Sequence, residues 1–313
     1  MDVILHIGLP KTGSSLLQRW LDLNNDFVAY LPNEYGGNRL AVECCDMREF
    51  AGRSDFIDNI ERTSLQEIRA KLVAFEVRSV PRVIISSEYF FLARPAAIRT
   101  KFAEFGLNVV KIICLLRRQD RIIASGFAQD VKALNYKDPI AISPGGYTAW
   151  YDWLKLMDDY QSAFPAAEFV PLEFDYMRKT GGLLARWKHE IGCVSNTFDS
   201  IVSDVKVNPS LPGELVEVCR AANQLGIPNL SSFALMAAQD GVVAGNYTLP
   251  SKYQEEIRNG FADLNDKFVS KLRDPTGFDD YTKENWQISD GSSVNLKPAI
   301  VARLLDYALK RNA

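Results

Sequence analysis

The sequence is poor in the residues that hold metal ions. His6 and His189 are its two histidines, and the five cysteines form neither a CxxC pair nor a metal-ligand spacing with them. We therefore expect no structural zinc and no metal at a functional site. Five cysteines without a pairing pattern favour a reducing compartment.

Neither sign of charge dominates, since 36 Lys and Arg residues stand against 39 Asp and Glu residues. A chain without a broad positive field is not typical of nucleic-acid binding, so we expect no nucleic-acid partner. The amino-terminal residues also lack a basic segment and an apolar run long enough for a signal peptide or a membrane span. These absences predict a cytoplasmic protein without a transmembrane segment.

What the chain does have is apolar material for a large core, with 47% hydrophobic and 24% charged residues. Apolar runs predict strands at residues 3–7, 83–85, 109–116 and 169–172. Helical periodicity predicts helices between them, at residues 64–77, 95–105, 120–131 and 183–191. This alternation predicts a three-layer α/β/α fold with a central parallel sheet.

Beyond residue 208 the pattern becomes mostly helical, with breaks at residues 226–228 and 274–277. We predict a single domain over residues 1–313, with an α/β core at 1–207 and a helical cap at 208–313. The pattern leaves open that the helical half is a separate domain.

The segment from Ile7 to Ser15 reads IGLPKTGSS and connects the first predicted strand to a predicted helix. Backbone N–H groups at such a helix start favour an anion, and phosphate is the natural ligand. Gly8 and Gly13 have the spacing of a P-loop, but Ser14 stands where a nucleoside triphosphatase has its lysine. The loop therefore departs from a triphosphatase, and its lysine is Lys11.

Two segments carry a resemblance to a known family. Residues 6–18, HIGLPKTGSSLLQ, resemble the 5'-phosphosulfate loop of sulfotransferases that use 3'-phosphoadenosine-5'-phosphosulfate (PAPS), especially bacterial carbohydrate-type members. Residues 116–125, LRRQDRIIAS, resemble the family's 3'-phosphate segment, in which an Arg ends a strand and a Ser follows eight residues later. The resemblance implies a fold like that of P-loop NTPases, PAPS as co-substrate and 3'-phosphoadenosine-5'-phosphate (PAP) as product.

The resemblance also implies a set of ligand-binding residues. Those for the 5'-phosphosulfate are Pro10, Lys11, Thr12, Gly13, Ser14 and Ser15. Arg117 and Ser125 would bind the 3'-phosphate, with Arg118 as the alternative if the register is shifted by one residue. Lys11 would also be catalytic, because it can reach the bridging oxygen on which charge grows as the bond to sulfur breaks.

Glu88 is the candidate general base. It follows the strand predicted at residues 83–85, and the carboxyl ends of parallel strands line the ligand crevice of open α/β sheets. Residues 86–88, SSE, resemble the heparan-type members, which use a Glu. The alternative is a structural Glu88 that caps the next segment. His6 is predicted to lie in the core, and His189 to be exposed or near a helix end.

Other features stay secondary. Trp150, Tyr151 and Trp153 could line a sugar-binding groove, although such a cluster also suits a core. Residues 207–211 and 265–272 resemble later segments of bacterial members. We do not find the Gly-rich, Lys-containing loop with which cytosolic sulfotransferases cover the 3'-phosphate.

These observations predict a metal-independent sulfotransferase that moves a sulfuryl group from PAPS to a hydroxyl or amine. The resemblance favours a carbohydrate or glycolipid acceptor. Two alternatives remain open at this point: a kinase-like enzyme that uses ATP, and a nucleotide-binding module without turnover. The sequence makes no prediction of oligomeric state.

Overall fold

The computed structural model describes residues 1–25, 28–32, 37–45, 64–78, 80–140, 151–193, 210–227, 230–241 and 245–289. The strands are β1 (Asp2–Gly8), β2 (Tyr30–Leu31), β3 (Arg82–Ser87), β4 (Asn108–Leu116) and β5 (Glu168–Glu173). The helices are α1 (Ser14–Leu23), α2 (Gly37–Glu43), α3 (Leu65–Val77), α4 (Pro95–Glu104), α5 (Gln119–Ala133), α6 (Trp153–Ala163), α7 (Phe174–Lys179), α8 (Leu183–Ile191), α9 (Gly213–Leu225), α10 (Leu230–Gln239) and α11 (Ser251–Lys271). Short 3-10 turns lie at Glu88–Phe91 and Asp279–Tyr281.

The described strands form one parallel sheet of five strands in the order β2–β3–β1–β4–β5. β1 is the central strand, with β3 on one side and β4 on the other. The order of connection reverses at β1, and open α/β sheets bind their ligands at the carboxyl ends of the strands beside such a reversal. The fold therefore favours a site at the loop that follows β1.

Helices cover both faces of this sheet. One face packs against α1 and α8 through an apolar cluster that includes Ile4, Trp20 and Trp187. On the other face, the Tyr160 hydroxyl of α6 donates to the Phe90 carbonyl at 2.9 Å. Because both faces are buried, the central strands are apolar almost throughout rather than alternating.

Local sequence signals define several helix ends. The Ser64 hydroxyl accepts a hydrogen bond from the Glu67 N–H while the Glu67 carboxylate accepts one from the Ser64 N–H, which starts α3. Pro95 occupies the first turn of α4, where its missing N–H costs nothing. Gly192 ends α8 in the left-handed conformation that glycine adopts readily.

The described residues fall into two compact units. The first lies within Met1–Arg117, Trp153–Val207 and Thr276–Phe278, and it contains the whole sheet. The second lies within Arg118–Asp152, Asn208–Pro275 and Asp279–Ala313, and it contains α5, α9, α10 and α11. A single domain with a helical cap stays a prediction.

The predicted fold class is confirmed, because helices flank a central sheet whose strands are all parallel. The strand predicted at 3–7 is extended by one residue at each end, and the helix predicted at 183–191 has those bounds. Trp150, residues 207–209 and residue 228, which entered the sequence predictions, lie outside the described residues.

Candidate functional site

The loop between β1 and α1 is a tight turn with two residues in the left-handed conformation, Lys11 at φ 68° and Gly13 at φ 83°. The Thr12 hydroxyl closes the turn by donating to the Leu9 carbonyl at 2.6 Å, and the Thr12 N–H donates to the same oxygen at 3.3 Å. Thr12 is buried, so its side chain holds the loop in shape. Turns of this kind present backbone N–H groups to an anion.

Two glycines allow the loop to pack closely. A Cβ atom on Gly8 would lie 2.2 Å from the Ser14 Oγ, and one on Gly13 would lie 2.8 Å from the Phe174 ring. Neither position therefore tolerates a larger residue without a shift of its neighbours.

Ser14 begins α1, and its hydroxyl lies close to Gly8. Its Oγ is buried and has no hydrogen-bond partner among the described residues, and none of them supplies a side-chain cap to α1. A buried polar atom without a partner is costly unless a ligand or water satisfies it. Pro10 and Ser15 are exposed on either side, and Lys11 is half-buried between them.

Glu88 stands beside this loop. It opens the 3-10 turn after β3, and its Cγ would lie 3.2 Å from a Cβ on Gly8, a point that the Ser14 side chain also approaches. Burial raises the pKa of the Glu88 carboxyl to about 7, while the nearby Lys11 charge lowers it. A carboxyl with such a pKa can accept a proton near neutral pH.

The 3-10 turn has its own cap in Ser87, not Glu88. The Ser87 hydroxyl accepts from the Tyr89 N–H at 3.1 Å and donates to the Asn38 Oδ1 at 2.7 Å. The cap that the structural alternative assigned to Glu88 is therefore supplied by its neighbour. The Glu88 side chain instead lies near Gly8 and interacts electrostatically with Lys11.

His6 lies below the loop, inside β1. The Gln18 amide donates to the Ser86 Oγ at 3.0 Å, and the same oxygen shares a hydrogen bond with the His6 Nδ1 at 2.7 Å. The ring also meets Trp187 edge-on, with 4.7 Å between centroids. Burial lowers the pKa of His6 to about 3, which keeps the imidazole neutral. His189, by contrast, is exposed in the last turn of α8.

Arg117 follows β4, the strand next to β1, and so lies at the same edge of the sheet as the loop. Its Nε donates to the Asp175 Oδ2 at 2.9 Å. The guanidinium carbon lies 5.5 Å from the centre of the Phe174 ring, which also packs against Gly13. Phe174 therefore connects the loop to Arg117 within the first unit.

Arg118 belongs to the second unit and has a different environment. Its Nε and NH2 form a bidentate pair with the Asp120 carboxylate at 2.8 and 2.9 Å, and its NH1 reaches the Asp280 carboxylate at 3.2 Å. It also lies over the Trp286 ring, 4.8 Å from its centre. The Arg118 guanidinium is thus paired with two carboxylates and lies against a ring in this structure.

The structure thus brings Lys11, Ser14, Glu88 and Arg117 to the carboxyl edge of three adjacent strands. Ser125 lies in α5 in the second unit and is half-buried.

Of the aromatic cluster, Trp153 is buried and packs near Phe91. The Tyr151 carbonyl accepts from the Gln119 amide at 3.1 Å.

Sequence reasoning missed Phe174 and Asp175. Both follow the strand predicted at 169–172, so the rule that singled out Glu88 and Arg117 at strand ends would have found them. Among the described residues, no group of three or more His, Cys, Asp and Glu side chains could hold a metal ion. No helix in that part of the chain is both long and apolar enough to cross a membrane.

Comparisons with known proteins find distant likenesses. No family model matches the chain. An uncharacterized protein of Archaeoglobus fulgidus is 28% identical over 145 residues, which cover 45% of this chain. The matched part is 38% of that relative, so the chain spans about two fifths of its length. Among solved structures, mouse sulfotransferase SULT7A1 complexed with PAP aligns with 90% of this chain and 89% of its own, at 12% identity and a TM-score of 0.42.

Proposed function

We propose that this protein is a sulfotransferase that moves a sulfuryl group from PAPS to a hydroxyl or amine. The observation that carries the proposal is the start of α1, where the buried Ser14 hydroxyl and an uncapped helix end lie beside Lys11 and Glu88. A phosphate oxygen would satisfy both the hydroxyl and the helix N–H groups. The carboxyl group at the same place supplies a proton acceptor.

The charges of the site suit a single phosphate ester rather than a triphosphate with magnesium. A nucleoside triphosphatase places a lysine at the position of Ser14, whereas the hydroxyl position that follows is filled in this chain by Ser15. Here the loop charge comes from Lys11, which lies earlier and is electrostatically coupled to Glu88. This favours a 5'-phosphosulfate over ATP.

Arg117 supports a nucleotide with a second phosphate. It follows β4, the strand next to β1, and its guanidinium carbon lies 5.5 Å from the centre of the Phe174 ring. Arginine binds phosphate through a planar fork of donors, which suits a 3'-phosphate. We propose Arg117 rather than Arg118 for this role, because Asp120 and Asp280 occupy the Arg118 guanidinium. Ser125 remains the proposed second ligand.

The proposed reaction is an in-line displacement at sulfur. PAPS supplies the activated sulfuryl group. Glu88 accepts the proton of the acceptor O–H or N–H as that atom bonds to sulfur and the sulfur–oxygen bond to the 5'-phosphate breaks. Lys11 and the loop N–H groups stabilise the negative charge that stays on the departing PAP. We propose a carbohydrate or glycolipid acceptor, as the sequence resemblance favours, and a cytoplasmic location.

Calorimetric titration with PAP, 5'-AMP and Mg²⁺-ATP tests the nucleotide site. We expect PAP to bind more tightly than either comparator, and Arg117→Ala to lose most of the advantage of PAP over 5'-AMP. Preference for Mg²⁺-ATP would instead support the kinase-like alternative and overturn the proposal.

Turnover requires a second assay, in which PAP release from PAPS is followed with carbohydrate acceptors. We expect Glu88→Gln to slow release by about 100-fold or more while PAP still binds. Parent protein and Glu88→Gln that behave identically with all acceptors would mean a nucleotide-binding module without catalysis.

A further inference from the structure

We propose that Asp175 is a positioning residue that orients Arg117 for the 3'-phosphate. The inference rests on the proposed function and extends it to a residue that would act through Arg117 rather than by binding the nucleotide itself. Asp175 accepts a hydrogen bond from the Arg117 Nε at 2.9 Å, and the two side chains are 20% and 10% exposed. The pair is therefore sheltered enough for its geometry to be fixed.

The contact engages one edge of the guanidinium. Nε is bound, and the structure gives Arg117 no second carboxylate among the described residues. The donors on the two terminal nitrogens are the ones that form the fork that phosphate accepts. The hydrogen bond from Nε to Asp175 therefore fixes the orientation of the guanidinium and leaves the donors on the two terminal nitrogens for a phosphate.

The neighbouring arginine shows the contrasting arrangement. Arg118 donates from Nε and NH2 to Asp120 and from NH1 to Asp280. Each of its three guanidinium nitrogens is therefore hydrogen-bonded to a carboxylate. The two adjacent arginines thus differ in how many guanidinium nitrogens are bound to carboxylates, one in Arg117 and three in Arg118. The pattern at Arg117 is the one that leaves an anion-binding face.

The sheet fixes where Asp175 stands. β4 and β5 run parallel, and their last paired residues are Leu116 and Glu173, so Arg117 and Phe174 follow at equivalent positions. The Glu173 carboxylate caps α7 by accepting from the Tyr176 N–H, and it anchors the backbone on which Asp175 lies. The Phe174 ring supports the guanidinium from one side.

The test is the ratio of affinities for PAP and 5'-AMP, two ligands that differ in the 3'-phosphate. Because both are titrated calorimetrically into the same sample, an unfolded fraction does not change the ratio. We expect Asp175→Ala to lower the ratio by about tenfold, the value of one oriented charge-assisted hydrogen bond, with 5'-AMP affinity unchanged. Asp175→Asn, which keeps an acceptor, should fall between Asp175→Ala and the parent.

A double-mutant cycle shows whether Asp175 acts through Arg117. In an Arg117→Ala background, Asp175→Ala should leave the ratio unchanged. Asp159→Asn is the matched control, because it removes one carboxylate from an exposed pair with Lys155 in the same unit. It should leave the ratio at the parental value.

Three results would overturn the inference. A ratio that is unchanged in Asp175→Ala would show that Arg117 needs no tether, and a higher ratio would show that Asp175 competes with the phosphate. Both would leave the proposed function standing. A parent protein without preference for PAP over 5'-AMP would overturn the proposed function and this inference together.

Discussion

Glu88 experiences two opposed effects at the scale of a single residue. Its burial beside the loop favours the neutral acid, and the Lys11 charge favours the carboxylate, with a resulting pKa of about 7. A general base acts in its deprotonated form. We therefore expect kcat/KM for sulfuryl transfer to rise with pH through about 7 and then to level off.

Glu88→Gln is the variant that ties this profile to one residue. It should lower kcat by about 100-fold or more. It should also remove the rise of kcat/KM with pH near pH 7, since Gln has no proton to lose. Steady-state rates between pH 5.5 and 8.5 measure both effects. A rise of kcat/KM near pH 7 that persists in Glu88→Gln would assign the titration to another group.

Lys11 combines a functional side chain with an unfavourable backbone conformation. At φ 68° a residue with a side chain costs about 1 kcal/mol relative to glycine. The Lys11 side chain in the loop therefore lowers the free energy of unfolding relative to a glycine at this position. We expect Lys11→Gly to be about 1 kcal/mol more stable than Lys11→Ala, which keeps the strain. Both should lose about 100-fold in kcat, because the charge that stabilises the leaving group is gone.

Urea unfolding and steady-state rates measure the two effects separately. Lys11→Ala with unchanged turnover would remove Lys11 from the proposed mechanism. Equal stability of the two variants would mean that the loop relaxes its conformation when the side chain is lost.

At the scale of elements, the sequence predicted what has a clear period or a long apolar run. β4 is nine residues long and buried on both faces, and α8 repeats its apolar positions regularly, so both were found. β2 has two residues and α7 has six, and neither length allows a period to be recognised. Asp175 was missed for a different reason: the residues after the strand predicted at 169–172 were not considered as a strand end that contributes to the site.

The two arginines show a further limit of sequence patterns. Arg117 and Arg118 are equivalent by composition, and the choice between them depends on Asp120 and Asp280, which are separated by 160 positions in the chain. Asp120 is near Arg118 in the sequence, but Asp280 lies 162 positions away, and local periodicity contains no information on a partner so distant. The structure separates the two residues through these contacts.

The buried pair of Arg118 and Asp120 at the start of α5 gives a prediction at this scale. Both side chains are 5% exposed, and Asp120 also lies in the first turn, where a negative charge is favourable. Asp120→Asn removes one charge of a buried pair and should lower the free energy of unfolding by about 3 kcal/mol. Denaturant unfolding measures the change.

The exposed pair of Lys155 and Asp159 is the control for that experiment. Asp159→Asn should change the free energy of unfolding by less than about 1 kcal/mol, because water screens the pair. Similar effects of the two substitutions would mean that the Arg118 pair is no more than a surface contact.

At the scale of the whole molecule, the site depends on strand order. Because all strands are parallel, the sequence could place Lys11, Glu88 and Arg117 together at the carboxyl edge. The order β2–β3–β1–β4–β5 was not available from the sequence, and it is this order that sets β5 beside β4 and Asp175 beside Arg117.

The pH dependence of global stability joins Glu88 and His6, two groups with opposite shifts. The pKa of Glu88 is raised from 4.5 to about 7 in the folded state, so its contribution to stability is lost as pH rises through that window. The pKa of His6 is lowered from 6.5 to about 3, so its contribution is lost as pH falls through that window. Between pH 4.5 and 6.5 the two slopes cancel.

Gln resembles the neutral acid at every pH, so Glu88→Gln removes the Glu88 contribution to the pH dependence of the free energy of unfolding. The variant alone should then show the pH dependence that is due to His6. We expect the stability gain of Glu88→Gln over the parent to be near zero at pH 4.5 and to grow to about 3 kcal/mol at pH 8. Urea unfolding at half-unit pH steps measures this difference, from which other titrating groups cancel. A gain that is the same at pH 4.5 and pH 8 would mean that Glu88 titrates normally in the folded protein, and the proton acceptor of the proposed reaction would then need to be sought elsewhere.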